Sequence, residues 1–236
     1  MQKILGAMRK ACEMYNLIEN GDKICVGLSG GKDSLTLLSA LARYQKFAKE
    51  NFEIVAVAVD LSGGKCDYSQ IEQFCNDLGV EFKKINSDIF EIVFEVRKEK
   101  NPCSLCANMR RGTLNSTAKQ LGCNKVALGH HKDDLIETFL MSLFFEGRLS
   151  TFKPKSYLSN IDLHAIRPLI LCNEEDISRV SKDYPILHNP CPANKKTERE
   201  NAKGILQKLE QLYPNSKEKL FASIIHTERY NLFDKM

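Results

Sequence analysis

Residues 24–34 read Ile-Cys-Val-Gly-Leu-Ser-Gly-Gly-Lys-Asp-Ser, an apolar run followed directly by two serines, two glycines, a lysine and an aspartate. The apolar run is typical of a buried strand in a parallel sheet. A glycine-rich turn between such a strand and a helix presents backbone N–H groups, and the helix dipole favours an anion there. Lys32 adds a positive charge, and Ser29 and Ser34 offer hydroxyl donors. We therefore predict a phosphate-binding turn.

Two better-known phosphate motifs do not fit this stretch. The Walker A pattern needs glycine where Val26 stands and Ser or Thr where Asp33 follows Lys32. A dinucleotide fingerprint fails as well, because no GxGxxG follows the strand. A plain glycine-rich turn with a solvated lysine is the remaining alternative, but the six-residue pattern is long for a chance match.

Composition places the chain among globular proteins. With 43% hydrophobic and 27% charged residues among 236, it can bury a core and remain soluble. The sequence has no run of 18 apolar residues and begins without a signal-like segment, so we expect a cytoplasmic protein away from membranes. Nine cysteines without a secretory signal argue against a disulfide framework and favour metal or redox chemistry.

The net charge of +4 permits nucleic-acid binding without requiring it. Basic residues cluster near the cysteine motifs or in the loop that leads to the C-terminal part. The clusters lie at 97–100, 110–111, 153–155 and 195–199. Any one of them is more often a solvated face than a binding site, but together they raise the possibility of RNA binding.

Short apolar runs alternate with helical patterns along most of the chain. Strands are predicted at 24–28, 54–59, 81–85, 125–128 and, as an edge strand, 166–169; helices at 3–18, 34–48, 68–78, 88–98, 106–121, 133–146, 198–213 and 215–232. A short hairpin is expected within 148–165, and Asn173 is expected to cap a helix. The alternation predicts an α/β protein with a Rossmann-like parallel sheet and helices on both faces. We divide it into an N-terminal helix (1–20), a catalytic domain (21–190) and a small helical C-terminal extension (191–236).

Three polar segments follow predicted strands directly: residues 29–34, Asp60 and residues 129–134. In parallel sheets ligands bind beyond the carboxyl ends of the strands, so these segments predict one nucleotide crevice. Asp133 and Asp134 begin a helix, where they can either cap it or bind Mg²⁺ together with a triphosphate. His130 and His131 are expected to hydrogen-bond substrate or backbone rather than to ligate a metal.

Residues 103–106, Cys-Ser-Leu-Cys, form the only CxxC, and Cys191 lies far downstream between two prolines. We expect a loop over 101–105 that aims both thiols at one metal. Zinc would need a fourth ligand such as His188 or another cysteine. A thioredoxin-type redox pair and an iron–sulfur cluster with three cysteine ligands are the other interpretations. The remaining cysteines, at 12, 25, 66, 75, 123 and 172, are predicted core residues.

The ordered motifs resemble those of a known family. Residues 29–34 resemble the SGGxDS signature of the PP-loop ATP pyrophosphatases, which cleave ATP between its α and β phosphates. Residues 27–35, 103–106 with 110–112, 129–134, 167–169, 172, 175–177 and 184–186 together resemble the TtcA-like group of tRNA thiolation enzymes. The likeness spans roughly residues 20 to 200. It implies a tRNA substrate, ATP, Mg²⁺, a [4Fe–4S] cluster and 2-thiocytidine in the anticodon loop as product.

The resemblance and the strand-end pattern together predict the site residues. The nucleotide-binding set is Ser29, Gly30, Gly31, Lys32, Asp33, Ser34, Asp60, Gly129, His130 and Asp133; the catalytic set is Lys32, Asp33 and Asp134; the cluster ligands are Cys103, Cys106 and Cys191. The expected partners are tRNA and a sulfur donor such as a cysteine desulfurase, and a homodimer is one option for assembly.

One departure from the family leaves the target nucleotide open. The family usually carries a second CxxC, whereas here Asn194 stands three residues after Cys191. Alternatives are therefore a tRNA 2-thiouridine synthase, a lysidine synthase-like ligase, or a non-catalytic zinc- or RNA-binding module.

Overall fold

A computed structural model describes residues 1–64, 66–97, 102–187 and 198–230. These residues form a six-stranded sheet. Its strands are β1 (Asp22–Leu28), β2 (Phe52–Asp60), β3 (Glu81–Asn86), β4 (Lys125–Ala127), β5 (Lys155–Leu158) and β6 (Leu163–Ile166). The spatial order is β3-β2-β1-β4-β6-β5, with every neighbouring pair parallel except the β5–β6 hairpin. The predicted parallel α/β sheet and the hairpin within 148–165 are both confirmed.

Helices connect the strands. They are α1 (Gln2–Tyr15), α2 (Lys32–Tyr44), α3 (Ser69–Asp77), α4 (Pro102–Gln120), α5 (Lys132–Glu146), α6 (Glu174–Val180), α7 (Glu198–Leu212) and α8 (Ser216–Ile225). The helix expected at 88–98 is a π-helical turn over Glu91–Val96, and a short 3₁₀ turn covers Thr227–Arg229. Among the described residues, none of these helices combines the length and apolar character needed to span a bilayer.

Strand β1 lies in the middle of the sheet and is buried on both faces. Cys25 packs in one apolar cluster with Val57 of β2 and Ala118 of α4. Because side chains alternate along a strand, Ile24 and Val26 point to the opposite face, where α2 packs. Ile24, Cys25 and Val26 have no exposed surface, which explains why this strand reads as a continuous apolar run.

A buried lysine joins the beginnings of the central strands. The Lys125 side chain in β4 is 1% exposed, and its ammonium donates to Glu19 Oε2 at 2.7 Å and to the Leu17 carbonyl at 3.0 Å. Asp22 at the start of β1 is its second ion-pair partner, at 2.6 Å. Because a buried charge is costly unless it is paired, these acceptors are what allow a lysine in this strand.

The described chain divides into two compact units. One contains residues 1–131 and 154–187 and therefore the whole sheet; the other contains 132–153 and 198–230. Helix α5, which the sequence pattern assigned to the catalytic domain, thus groups with α7 and α8. The predicted boundary at 190/191 lies outside the described residues.

Several sequence-based boundaries were wrong for identifiable reasons. Helix α4 begins at Pro102, so Cys103 and Cys106 lie on a helix and not in a loop; proline suits a first helical position because no N–H partner is needed there. The predicted edge strand at 166–169 is not an edge strand: β6 ends at Ile166 and lies between β4 and β5, and Pro168 follows in a turn. Asn173 occupies the N-cap position of α6 but makes no side-chain cap bond.

Candidate active site

The glycine loop, residues 29–34, depends on glycine at position 30 for its backbone conformation. Gly30 has φ +80°, and a Cβ atom there would lie 2.9 Å from Cβ of Leu187. Ser34 Oγ donates to the Gly31 carbonyl at 2.9 Å, while the Ser29 N–H donates to Ser34 Oγ at 3.1 Å. The two serine hydroxyls, expected from sequence to face phosphate, therefore also hold the loop in shape.

Lys32 and Asp33 occupy the first turn of α2 and interact with each other. The Lys32 ammonium donates to Asp33 Oδ1 at 2.8 Å and lies 3.3 Å from Glu174 Oε1 at the start of α6. Partial burial opposes the charged form of Lys32, but the hydrogen bond and charge of Asp33, together with Glu174, more than offset it and raise its pKa. His131 Nε2 lies 3.6 Å from Asp33 Oδ1. Lys32 is thus a fixed cation at the helix N-terminus.

Glu174 was missed as a site residue by sequence reasoning. In the sequence it is one of three acidic residues that follow the predicted cap at Asn173, and acids are expected in the first turn of any helix. The only available signal was the acidic run after Asn173. Its contact with Lys32 depends on the packing of α6 beside α2, which local sequence does not encode.

The strands on either side of β1 end at the same edge of the sheet as the glycine loop. A Cβ atom at Gly129, after β4, would lie 3.0 Å from the backbone of Asp33 and Ser34, so only glycine fits this close approach. Asp60, at the end of β2, has no exposed surface. Its carboxylate accepts the N–H of Ser62 at 2.8 Å and thereby shapes the following turn. Residues 29–34, Asp60 and Gly129 therefore share one edge of the sheet.

In the second unit, the two adjacent aspartates are held by basic residues from the C-terminal helices. Asp133 Oδ1 accepts from Lys217 Nζ at 2.7 Å, and Asp134 Oδ1 accepts from Arg199 Nη1 at 2.8 Å. Arg199 also lies 3.4 Å from Glu137 Oε2. Successive helical residues point about 100° apart, so the two carboxylates reach different helices. Sequence reasoning missed both bases as partners because they stand more than 60 residues away.

The cysteines fall into two groups. Burial raises the pKa of Cys12, Cys75 and Cys172 to about 12, which keeps these thiols protonated and inert. Cys25 and Cys123 are likewise buried, with burial raising each pKa. The core prediction is therefore confirmed for these five. It was wrong for Cys66, which is half-buried and lines a cavity of about 290 Å³ with Tyr68 and Lys84.

Cys103 and Cys106, by contrast, lie in the first turns of α4 and are exposed and half-buried, respectively. Spacing of three residues places both thiols on one side of the helix. Cys191 lies outside the described residues, so its distance from this pair stays a prediction. No group of three Cys, His, Asp or Glu side chains suited to a metal is found in the part of the chain that the structure describes.

The direction of α4 brings its first turn to the edge of the sheet that carries the glycine loop. Leu114 Cδ2 lies 2.7 Å from where a Cβ of Gly27 would be, near the end of β1. One turn earlier in α4, Arg110 Nη2 donates to the carbonyl of Leu28, the last residue of β1, at 3.2 Å. Cys106 stands a further turn earlier, about 6 Å along the helix. Both thiols therefore lie beyond the carboxyl end of β1, on the loop's side of the sheet.

Comparison with known proteins agrees with this geometry. A family model described as a PP-loop domain matches residues 5–201. A tRNA-cytidine(32) 2-sulfurtransferase of Marinomonas sp. (strain MWYL1) is 41% identical over 225 residues, covering 93% of this chain and 80% of the relative. The same-named protein of Pseudomonas fluorescens (strain Pf0-1) is 40% identical over 225 residues, covering 94% and 82%. The chain belongs to this sulfurtransferase family within the PP-loop proteins.

Solved structures support the same assignment of fold. The U34-tRNA thiolase NcsA from Methanococcus maripaludis, solved with its [4Fe-4S] cluster, superposes with a TM-score of 0.74 at 25% identity, covering 98% of this chain and 80% of that one. An NH3-dependent NAD synthetase from Campylobacter jejuni has a TM-score of 0.51 at 18% identity, which shows a shared fold alone.

Proposed function

We propose that this protein is an ATP-dependent tRNA thiolase that replaces a pyrimidine C2 oxygen with sulfur, with 2-thiocytidine as product. The observation that carries the proposal is the position of Cys103 and Cys106, which the course of α4 brings to the same sheet edge as the glycine loop. A PP-loop enzyme that only ligates or hydrolyses would need the loop without the thiols. The relatives named tRNA-cytidine(32) 2-sulfurtransferase support cytidine as the target.

ATP would supply the activation step. The C2 oxygen of a pyrimidine is a poor leaving group, so it first attacks the α-phosphate of ATP and forms an adenylate while pyrophosphate leaves. The amide groups at the start of α2 and the Lys32 ammonium would stabilise the developing charge on the pyrophosphate. A well-placed donor of this kind is worth about 3 kcal/mol in the transition state. Attack by sulfur at C2 then expels AMP.

Asp133 and Asp134 are the proposed Mg²⁺ ligands. Their carboxylates are the hard oxygen donors that Mg²⁺ prefers, and the ion would neutralise charge on the triphosphate. In the structure their Oδ1 atoms accept hydrogen bonds from Lys217 and Arg199, so the carboxylates are already oriented in part by these bases.

Cys103, Cys106 and Cys191 are the proposed ligands of a [4Fe–4S] cluster. The first two fit such a group, because they are accessible soft donors on one helix face, whereas the buried cysteines are inert. The helix N-terminus beneath them favours negative charge. When bound, a cluster with three protein ligands supplies one iron with an open position for exogenous sulfur. That sulfur is expected from a donor such as a cysteine desulfurase.

The decisive experiment is mass spectrometry of nucleosides from the tRNA of a deletion strain. We expect a thiolated cytidine to be missing and to return with the wild-type gene or with Cys75→Ala, a control at a buried cysteine. Cys106→Ser and Lys32→Ala should both fail to restore it. Anaerobically purified Lys32→Ala should still hold about four irons per chain, whereas Cys106→Ser should have lost them.

Three results would contradict the proposal. An unchanged set of thiolated nucleosides in the deletion strain would remove the activity itself. A Cys106→Ser protein that still releases pyrophosphate and modifies tRNA fully would favour a lysidine synthase-like ligase. No release of pyrophosphate from ATP with tRNA present would favour a zinc- or RNA-binding module. Separately, sedimentation of the same protein would show whether it is a homodimer.

A further inference from the structure

Arg110 connects the cysteine-bearing turns of α4 to the glycine loop. Residues 103, 106 and 110 are spaced by three and four positions, so they share one face of the helix. The Arg110 guanidinium donates from Nη2 to the carbonyl of Leu28 at 3.2 Å. Leu28 immediately precedes Ser29, the first residue of the loop. Arg110 thus shares a helix face with the two cysteines while its guanidinium contacts the residue that precedes the loop.

The positive charge of Arg110 has no acidic partner among the residues that the structure describes. Lys32 and Arg199 are paired with carboxylates, but Arg110 forms no ion pair within those ranges. Burial lowers its pKa, and the groups that act in the opposite direction are Tyr68 and Cys106. An arginine nevertheless stays charged in proteins. Placing an uncompensated cation here is costly unless an anion binds nearby.

We propose that Arg110 is a positioning residue that compensates the negative charge of the cluster held by Cys103 and Cys106. This inference rests on the proposed function, since it concerns the same cluster. A [4Fe–4S]²⁺ core bound by three thiolates is anionic overall, and its reduction potential depends on nearby charge. Through its bond to Leu28, Arg110 also fixes the first turns of α4 to the end of β1.

Arg111 provides a matched control on the same helix. It is exposed, and its guanidinium donates to Asn108 Oδ1 of α4 at 3.1 Å. Because successive residues are turned by about 100°, Arg111 points away from the face that carries Cys106 and Arg110. Arg111→Met removes the same charge one residue away without touching the end of β1.

The test is a redox titration of the reconstituted holoprotein, followed by electron paramagnetic resonance without ATP or tRNA. Removing a nearby positive charge makes electron uptake less favourable, so Arg110→Met should shift the midpoint potential to a more negative value. Arg110→Lys, which keeps the charge, should shift it less, and Arg111→Met should leave it at the wild-type value. An Arg110→Met potential equal to that of the wild type or of Arg111→Met would overturn the inference.

Iron content distinguishes the remaining outcomes. If Arg110→Met loses iron while Arg110→Lys and Arg111→Met retain it, the charge is needed to hold the cluster and the inference stands. If Arg110→Lys loses iron as completely as Arg110→Met does, the charge is not the relevant property and the inference fails. A wild-type protein without iron would overturn the proposed function as well, whereas unshifted potentials in an iron-loaded protein would remove only the role of Arg110.

Discussion

Replacing Gly30 with alanine tests how tightly the glycine loop is enclosed. Gly30 has φ +80°, a conformation that costs a residue with a Cβ about 1 kcal/mol. The new methyl would lie 2.9 Å from Cβ and 3.0 Å from Cδ1 of Leu187. Leu187 cannot move away freely, because its N–H donates to the Gly30 carbonyl at 2.9 Å. Overpacking of this kind costs about 1–3 kcal/mol, so we expect a total loss of about 2–4 kcal/mol.

Gly79→Ala is the matched control in the same unit. Gly79 has φ +71°, and a methyl group there would meet nothing within 4 Å, so this change should cost only the conformational part, about 1 kcal/mol. Urea unfolding of both variants gives the difference, which is the cost of the contact with Leu187. Gly30→Ala should also lower kcat/KM for ATP by on the order of 10- to 100-fold, because small displacements of the loop misplace its donors.

Leu187→Ala completes the design as a double-mutant cycle. Combined with Gly30→Ala, it should recover most of the contact cost, because the truncated side chain leaves room for the new methyl. Equal stability losses for Gly30→Ala and Gly79→Ala, within about 0.5 kcal/mol, would refute the close packing of Leu187 on the loop.

Two further predictions concern buried charges. Lys217→Met removes the ammonium that lies 2.7 Å from Asp133, whose side chain is 6% exposed. The free energy of unfolding of the second unit, measured in urea, should therefore fall by about 1–3 kcal/mol, and Asp133→Asn in the same chain should recover much of that loss. Wild-type stability of Lys217→Met would contradict this. The hydrogen bond from Lys125 lowers the pKa of Glu19 from 4.5 to about 2. The Glu19 carboxylate therefore contributes fully to stability above pH 4.5, and this contribution is lost as the pH falls through about 2. Glu19→Gln should therefore be less stable than wild type at pH 7 and equal to it near pH 2 in thermal unfolding; a deficit that persists there would contradict the assignment.

Much of the site could be predicted because its signals are local. The run at 24–34 contains the strand, the turn and the helix start in consecutive residues, so backbone geometry alone brings Gly30 and Lys32 to the end of β1. Strand ends of a parallel sheet share one edge, and this is why Asp60 and Gly129 could be placed beside the loop from the sequence.

Contacts between distant segments were decided by tertiary packing. Nothing near Lys32 in sequence indicates that Glu174 pairs with it, and nothing near Asp133 indicates Lys217. The helical start at Pro102 depended on context too, because proline suits both a loop and a first helical turn. The sequence by itself determined the strand–loop–helix unit and the chemistry of its residues, since these follow from neighbours along the chain. Only the tertiary structure decided which distant charges pair and where α4 directs its thiols, because side-chain packing across the sheet sets those distances.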